Sequence, residues 1–299
     1  MSQNEHISKL QAWTLAARPK TLPAAVAPVL VGSALAYEHG AFSWLPALAA
    51  LGGALLIQVG TNFVNDLVDY LKGIDTQARQ GPQRAVQSGL ISTADLKRGA
   101  AWVFALAVAC GSYLVAVAGW PVAVIGVVSL LCALGYSAGP YPLASHGLGE
   151  VFVFLFFGLV AVGGTYYVQA LGLSPWALLV AVPVGTLTTA IIVVNNLRDV
   201  ETDLQGGKHT LAVVLGPQAT RVEYAALLLL AYALPVVMLA LGWPSAWVLL
   251  PWASFPLALW LVRALIRAAD GPTFNALLAQ TAQLALGFSA LFALGLVLS

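Results

Sequence analysis

The chain has 299 residues, of which 60% are hydrophobic and only 8% charged, with a formal net charge of +1. A mean hydropathy of +0.87 lies outside the range of soluble globular domains, and the near-neutral balance leaves no electrostatic footprint for a nucleic-acid partner. What remains is an all-α polytopic membrane protein in a lipid bilayer, with no linker or low-complexity run dividing residues 1–299 into separate domains.

Apolar runs near the roughly 20 residues that cross a bilayer recur at 22–38, 44–64, 99–118, 121–137, 150–170, 176–196, 222–241, 245–262 and 275–298. They predict nine transmembrane helices after a polar segment, residues 1–20. Pro23, Pro28 and the preceding Arg18-Pro19-Lys20 suit a retained first helix better than a cleaved signal peptide, in spite of Ala34-Leu35-Ala36. Cys110 and Cys132 fall inside predicted helices without metal-ligand spacing and are expected to be packing residues.

The connections around Gly119, Leu171 to Pro175 and Gly242 to Ser245 carry no charge. All thirteen basic residues, by contrast, fall on the N-terminal side in a nine-helix order: Lys9, Arg18, Lys20, Lys72, Arg79, Arg84, Lys97, Arg98, Arg198, Lys208, Arg221, Arg263 and Arg267. Because Lys and Arg near helix ends are retained on the cytoplasmic side, the expected topology has the N-terminus inside, the C-terminus outside and the long polar loops in the cytoplasm.

Two of those polar regions resemble each other. The second apolar run ends in Asn62-Phe63-Val64-Asn65-Asp66-Leu67-Val68-Asp69, and the sixth in Asn195-Asn196-Leu197-Arg198-Asp199-Val200-Glu201-Thr202-Asp203. If these segments stay helical, Asn62, Asp66 and Asp69 form one stripe at i, i+4 and i+7, and Asp199 and Asp203 form another pair at i, i+4. Ionisable residues at the ends of spans are costly and usually functional. Carboxylates facing one another across a bundle repel, so a cation is expected between them. Oxygen-only ligands favour a hard ion, Mg²⁺ first, completed by phosphate oxygens. Lys72, Arg79, Arg84, Arg198 and Lys208 offer cationic partners for phosphate. A polyprenyl diphosphate suits both halves of such a site, its head on metal and base, its tail among apolar helices. Tyr136 and other aromatics on candidate cavity helices can shield an allylic cation.

These residues also carry a family resemblance. ARPKTLPAAVAPVLVG at 17–32, NFVNDLVDYLKGIDTQARQGPQRAVQSG at 62–89, GYSAGPYPLASHGLGE at 135–150 and NNLRDVETDLQGGKHTLAVVLG at 195–216 resemble, in this order, the UbiA superfamily of intramembrane aromatic prenyltransferases, and within it the branch serving menaquinone synthesis. One departure is that Gly73 stands where the wider superfamily has a third Asp, the nearest acid being Asp75. The resemblance implies transfer of a polyprenyl group to 1,4-dihydroxy-2-naphthoate with loss of CO₂ and diphosphate, in a bacterial inner membrane. Asp66, Asp69, Asp199 and Asp203 would hold Mg²⁺. Asn62, Asn65, Lys72, Arg79, Arg84, Tyr136, Asn196, Arg198 and Lys208 would bind substrates, and Asp75 would handle the acceptor. The general base stays open between Asp75, His209, Tyr136 and Glu150. A 4-hydroxybenzoate acceptor is the alternative within the superfamily, and a membrane transporter the alternative outside it.

Overall fold

The computed structural model describes residues 8–73, 84–139 and 141–299. Asp75 and Arg79 of the expected site lie outside the described residues. Every regular element among the described residues is helical. In chain order they are α1 (Lys9–Ala17), α2 (Pro23–Glu38), α3 (Trp44–Leu71), α4 (Thr93–Ala118), α5 (Trp120–Gly135) and α6 (Gly149–Ala170). Then follow α7 (Pro175–Gln205), the short α8 (Leu211–Leu215), α9 (Pro217–Ala240), α10 (Ala246–Arg267) and α11 (Gly271–Val297).

Seven of these are long and apolar enough to span a bilayer. An eighth span arises if the bent pair of Lys9–Thr21 and Pro23–Glu38, which meet at 51°, counts as one. At 16 residues, α5 is shorter than the other candidates. Both acidic helices run on past the end of their apolar run, α3 to Leu71 and α7 to Gln205, because their polar residues face protein rather than lipid. On α3 the buried positions Asn62, Phe63, Asp66 and Asp69 form a single stripe.

The bundle is organised around α7. Ser174 caps it by accepting from the Trp176 N–H, and Pro175 occupies its first position, where a missing N–H costs nothing. In its most apolar window 72% of the residues are buried, against 11% in α4. The main core joins α2, α6, α7, α9, α10 and α11, with Leu187, Tyr224, Tyr232, Met238, Phe288 and Phe292 fully buried. Where α6 crosses α7 the backbones nearly touch. A Cβ at Gly158 would lie 2.9 Å from Gly185 Cα, and one at Gly185 would lie 2.9 Å from Phe154 Cδ2. Small residues permit such close crossings in membranes. The same part of α6, Phe154–Val160, is π-helical, a geometry that often marks functional sites.

Polar contacts gather the helix termini into two ends. At one end Lys208 reaches Asp69 of α3, Arg198 of α7 donates to Asn275 of α11, and Arg221 of α9 donates to the Leu265 carbonyl in the last turn of α10 and to the Ala268 carbonyl after it. At the other, His39 meets Tyr166 at 2.7 Å, Ser43 N–H donates to Gln169, and Trp243 N–H donates to Ser299.

Candidate active site

A cavity of about 760 Å³ runs through the bundle between α2, α3, α4, α5, α6 and α7. Its walls change character along its length. Ala50, Gly53 and Ala54 of α3, Leu114 and Val115 of α4, Val122 of α5 and Val168 of α6 make one part mainly apolar, with Ser112 and Thr165 among them. Arg18, Asn62, Asn65, Asp69, Arg84, Asn195, Asn196, Asp199, Asp203 and Lys208 make the other part polar and charged. From Ala50 to Asp69 the cavity follows 19 residues of α3, about 28 Å at the α-helical rise, close to the hydrocarbon thickness of a bilayer.

The charged end is built from the two acidic segments. Asp69 is 4% exposed and receives Arg84 Nη2 at 2.9 Å on Oδ2, while Lys208 Nζ stands 3.7 Å from its Oδ1. The same Lys208 nitrogen lies 3.6 Å from Asp203 Oδ1. Lys208 therefore joins the acidic ends of α3 and α7. Asp199 is gripped in a two-pronged pair by its chain neighbour, Arg198 Nε meeting Oδ1 at 2.8 Å and Nη2 meeting Oδ2. Arg198 also donates to Asn195 and Asn275. Asp66 stands outside the cavity lining, its Oδ2 accepting the Ala85 N–H at 3.1 Å; it ties the 84–89 turn to α3.

Other expected residues fall as follows. Asn62 donates from Nδ2 to the Ala17 carbonyl at 2.9 Å and to Thr21 Oγ1 at 3.1 Å, anchoring the bend between α1 and α2. Asn65 accepts from Arg18 Nη2 at 2.9 Å and donates to Ser137 Oγ at 3.0 Å. Lys72 is exposed, outside the cavity lining, with Nζ 3.4 Å from the Ser137 carbonyl. Tyr136 and Asn196 line the cavity. His209 is exposed and not part of the lining, and Glu150 is buried behind Asn196, whose Nδ2 donates to it at 2.7 Å.

Two participants were not singled out from the sequence. Arg18 enters the cavity wall from a left-handed backbone, φ 51°, an uncommon state for a non-glycine residue. The signal for it was the following Pro19, which disfavours the helical region at Arg18. Cys132, expected from its apolar helix to be a packing residue, instead lines the cavity.

The donor set suits a hard divalent ion that takes one or two carboxylates and completes its shell with phosphate and water. Its ligands are all oxygen, and Arg84 and Lys208 stand beside them. Among the described residues no group of three or more His, Cys, Asp or Glu is gathered closely enough to hold an ion by itself, and ammonium and guanidinium groups neutralise the carboxylates instead.

Residues 25–286 match the model of the UbiA prenyltransferase family. The chain is 38% identical to a 1,4-dihydroxy-2-naphthoate octaprenyltransferase of Escherichia coli K12, over 99% of this chain and 98% of that protein. It is 42% identical to the Mycobacterium tuberculosis protein of the same name, over 77% and 79% of the two chains. Among solved structures, a UbiA homolog from Archaeoglobus fulgidus bound to GPP and Mg²⁺ superposes with a TM-score of 0.65 at 14% identity, over 96% of this chain and all of that one.

Proposed function

The chain belongs to the UbiA prenyltransferase family, and from that premise we propose that it transfers a polyprenyl group from polyprenyl diphosphate to 1,4-dihydroxy-2-naphthoate in menaquinone synthesis. One observation carries this: a single cavity, about as long as a bilayer's hydrocarbon is thick, places paired acids and bases at one end and a mainly apolar wall along the rest. Such a cavity matches a ligand with a multiply charged head and a long hydrocarbon tail.

In the reaction the allylic C–O bond breaks with its electron pair leaving on diphosphate. The electron-rich ring carbon bearing the carboxylate forms the new C–C bond. The C–carboxylate bond then breaks, its pair restores the aromatic ring, and CO₂ leaves. Asp69, Asp199 and Asp203 would hold Mg²⁺, while Asp66, outside the lining and bonded to the Ala85 N–H, supports them by fixing the turn that carries Arg84. Mg²⁺, when bound, supplies Lewis-acid neutralisation of the departing diphosphate. Arg84 and Lys208 stand where they can turn from carboxylate to phosphate oxygens, and Arg198 holds Asp199 in place. Phe152 and Phe156, stacked with centroids 6.0 Å apart, present aromatic surface to the allylic cation. The apolar lining excludes water that would otherwise capture that cation.

The nine-span topology, with the N-terminus and charged end in the cytoplasm and the C-terminus outside an inner membrane, belongs to the same proposal. It is supported by the placement of basic side chains at one end of the bundle. Reporter fusions at the C-terminus test it, a cytoplasmic signal being the result against it.

The activity is tested with purified protein, Mg²⁺, a polyprenyl diphosphate and naphthoate labelled in its carboxyl carbon. Donor-dependent release of labelled CO₂ is expected. Prenylated product that keeps the label overturns the decarboxylating reaction.

A further inference from the structure

We propose that Glu150 is a positioning residue for the aromatic acceptor, fixing the Asn196 carboxamide so that its Oδ1 faces the cavity and accepts a hydrogen bond from a ring hydroxyl. This rests on the prenyl-transfer reading above and assigns the place of its second substrate.

Glu150 is only 5% exposed and stands outside the cavity lining, whereas Asn196 is part of it. The two meet through Asn196 Nδ2 and Glu150 Oε1 at 2.7 Å. An ionised carboxylate only accepts hydrogen bonds, whereas a carboxamide has one donating and one accepting end. In the structure the Asn196 NH₂ points at Glu150, which turns the carbonyl the other way, toward the cavity. Diphosphate oxygens are acceptors too and gain nothing from a carbonyl facing them. A phenolic hydroxyl is a donor and does gain.

The surroundings fit a flat hydroxylated ring. Gly149 has room for no side chain without pressing on Tyr136, since a Cβ there would lie 3.3 Å from Tyr136 Oη. The tyrosine hydroxyl thus packs beside the backbone that precedes Glu150. Phe152 and Phe156, whose ring planes differ by 9°, continue the same wall. Asp199 follows Asn196 by three residues, about 4.5 Å along the helix axis, which sets the ring next to the diphosphate and the allylic carbon it must meet. A buried carboxylate so near a membrane-embedded cavity is costly to keep, and forcing one sense on Asn196 is a use for it.

The test measures KM separately for naphthoate and for polyprenyl diphosphate in Glu150→Ala, Glu150→Gln, Asn196→Ala, the Glu150→Ala/Asn196→Ala double variant and Glu223→Gln. Glu223 of α9 interacts electrostatically with Glu150 but makes no hydrogen bond to Asn196 among the described residues, so its variant controls for local charge. Glu150→Ala and Asn196→Ala should each raise the naphthoate KM about tenfold, equivalent to about 1.4 kcal/mol, with the diphosphate KM unchanged. The double variant should be no worse than either single one, because the pair acts as a unit. Glu150→Gln keeps an acceptor but also tolerates the flipped amide, so its KM should fall between wild type and Glu150→Ala; this near-isosteric variant also guards against a Glu150→Ala protein that does not fold. Additive effects in the double variant overturn the assignment. So does a rise in the diphosphate KM, which would make Asn196 part of the metal–diphosphate site, or an equal effect of Glu223→Gln. A wild-type protein that never turns over naphthoate overturns the acceptor instead, independently of the variants.

Discussion

Replacing Lys208 with Met removes the ammonium that, among the described residues, joins the two acidic helices, while keeping most of the side chain's apolar bulk. Its nitrogen is 3.7 Å from Asp69 and 3.6 Å from Asp203. At an effective dielectric of about 20 each contact is worth roughly 4 kcal/mol before desolvation. The two Oδ1 atoms can be no further apart than the sum of those distances, about 7.3 Å, so the bare carboxylates repel by at least about 2 kcal/mol on the same scale. Desolvation offsets much of the gross attraction, and breaking a buried pair by removing one partner costs about 3–5 kcal/mol net. Lys208 keeps 19% side-chain exposure and Asp69 retains Arg84, which places the expected loss near the lower figure. At roughly 2 °C per kcal/mol, the lower end of the range for chains of 150–250 residues and the one nearest this longer chain, unfolding in detergent with EDTA should come about 5 °C earlier, read from fluorescence of the nine Trp residues. Mg²⁺ should restore more stability to the variant than it adds to wild type, because only in the variant do Asp69 and Asp203 lack their shared cation. An unchanged melting temperature in EDTA, or Mg²⁺ stabilising wild type more, would refute the electrostatic account of this end of the cavity.

Three further outcomes follow from other parts of the molecule. Asp199→Asn keeps the size of the side chain but loses the charge that Arg198 grips from two sides, and turnover should drop at least a hundredfold; near-normal CO₂ release would remove Asp199 from the site. Gly185→Ala puts a methyl group 2.9 Å from Phe154, and overpacking of this kind costs about 1–3 kcal/mol, so its melting temperature should fall while Gly163→Ala, with nothing within 4 Å, serves as the silent control. Asp270 caps α11 by accepting from the Thr273 N–H at 2.9 Å and the Thr273 hydroxyl at 2.8 Å, contacts that hold its carboxyl below the ordinary carboxylate range, the backbone bond first. Its stabilisation is therefore present above the ordinary value near 4 and is lost as pH falls through the lower folded value; Asp270→Asn, which caps without titrating, should lack this acid limb in a pH–melting curve.

The acidic stripe on α3 was legible because a helix repeats every 3.6 residues, so Asn62, Asp66 and Asp69 had to share a face once the segment was helical. The length of that helix was harder to read. Hydropathy fell at Val64, yet α3 continues to Leu71, since inward-facing polar residues end an apolar run without ending a helix. Contacts between segments distant in the chain were not legible. Nothing local in Lys208 says that it meets Asp69, 139 positions earlier, and nothing in Asn62 says that its amide is taken up by Ala17 and Thr21. Arg18 looked like one more cytoplasmic charge, because its place in the cavity depends on a left-handed residue and a 51° bend. Glu150 was legible as an acid but not as the partner of Asn196, a pairing made by the packing of α6 on α7.

The apolar part of the cavity has a mechanical consequence at α5. Only Val122 of this helix is buried, while Val124, Val128, Leu131 and Leu134 are exposed on one side and Val122, Gly126, Ser129 and Leu130 face the cavity on the other. A helix with lipid on one face and a cavity on the other has few side chains to pack against, and its order depends on what fills the cavity. A long prenyl tail lying there would supply the missing contacts and stabilise α5 by binding linkage. Cys132 reports this directly, since it lines the cavity, whereas Cys110 is outside the lining and packs near Gly52. A long-chain polyprenyl diphosphate should therefore slow alkylation of Cys132 by a small thiol reagent, and a five-carbon donor with the same head group should not. Cys110 should react at one rate throughout. Equal protection of Cys132 by both donors would place the tail elsewhere and leave the apolar wall of α5 without a ligand.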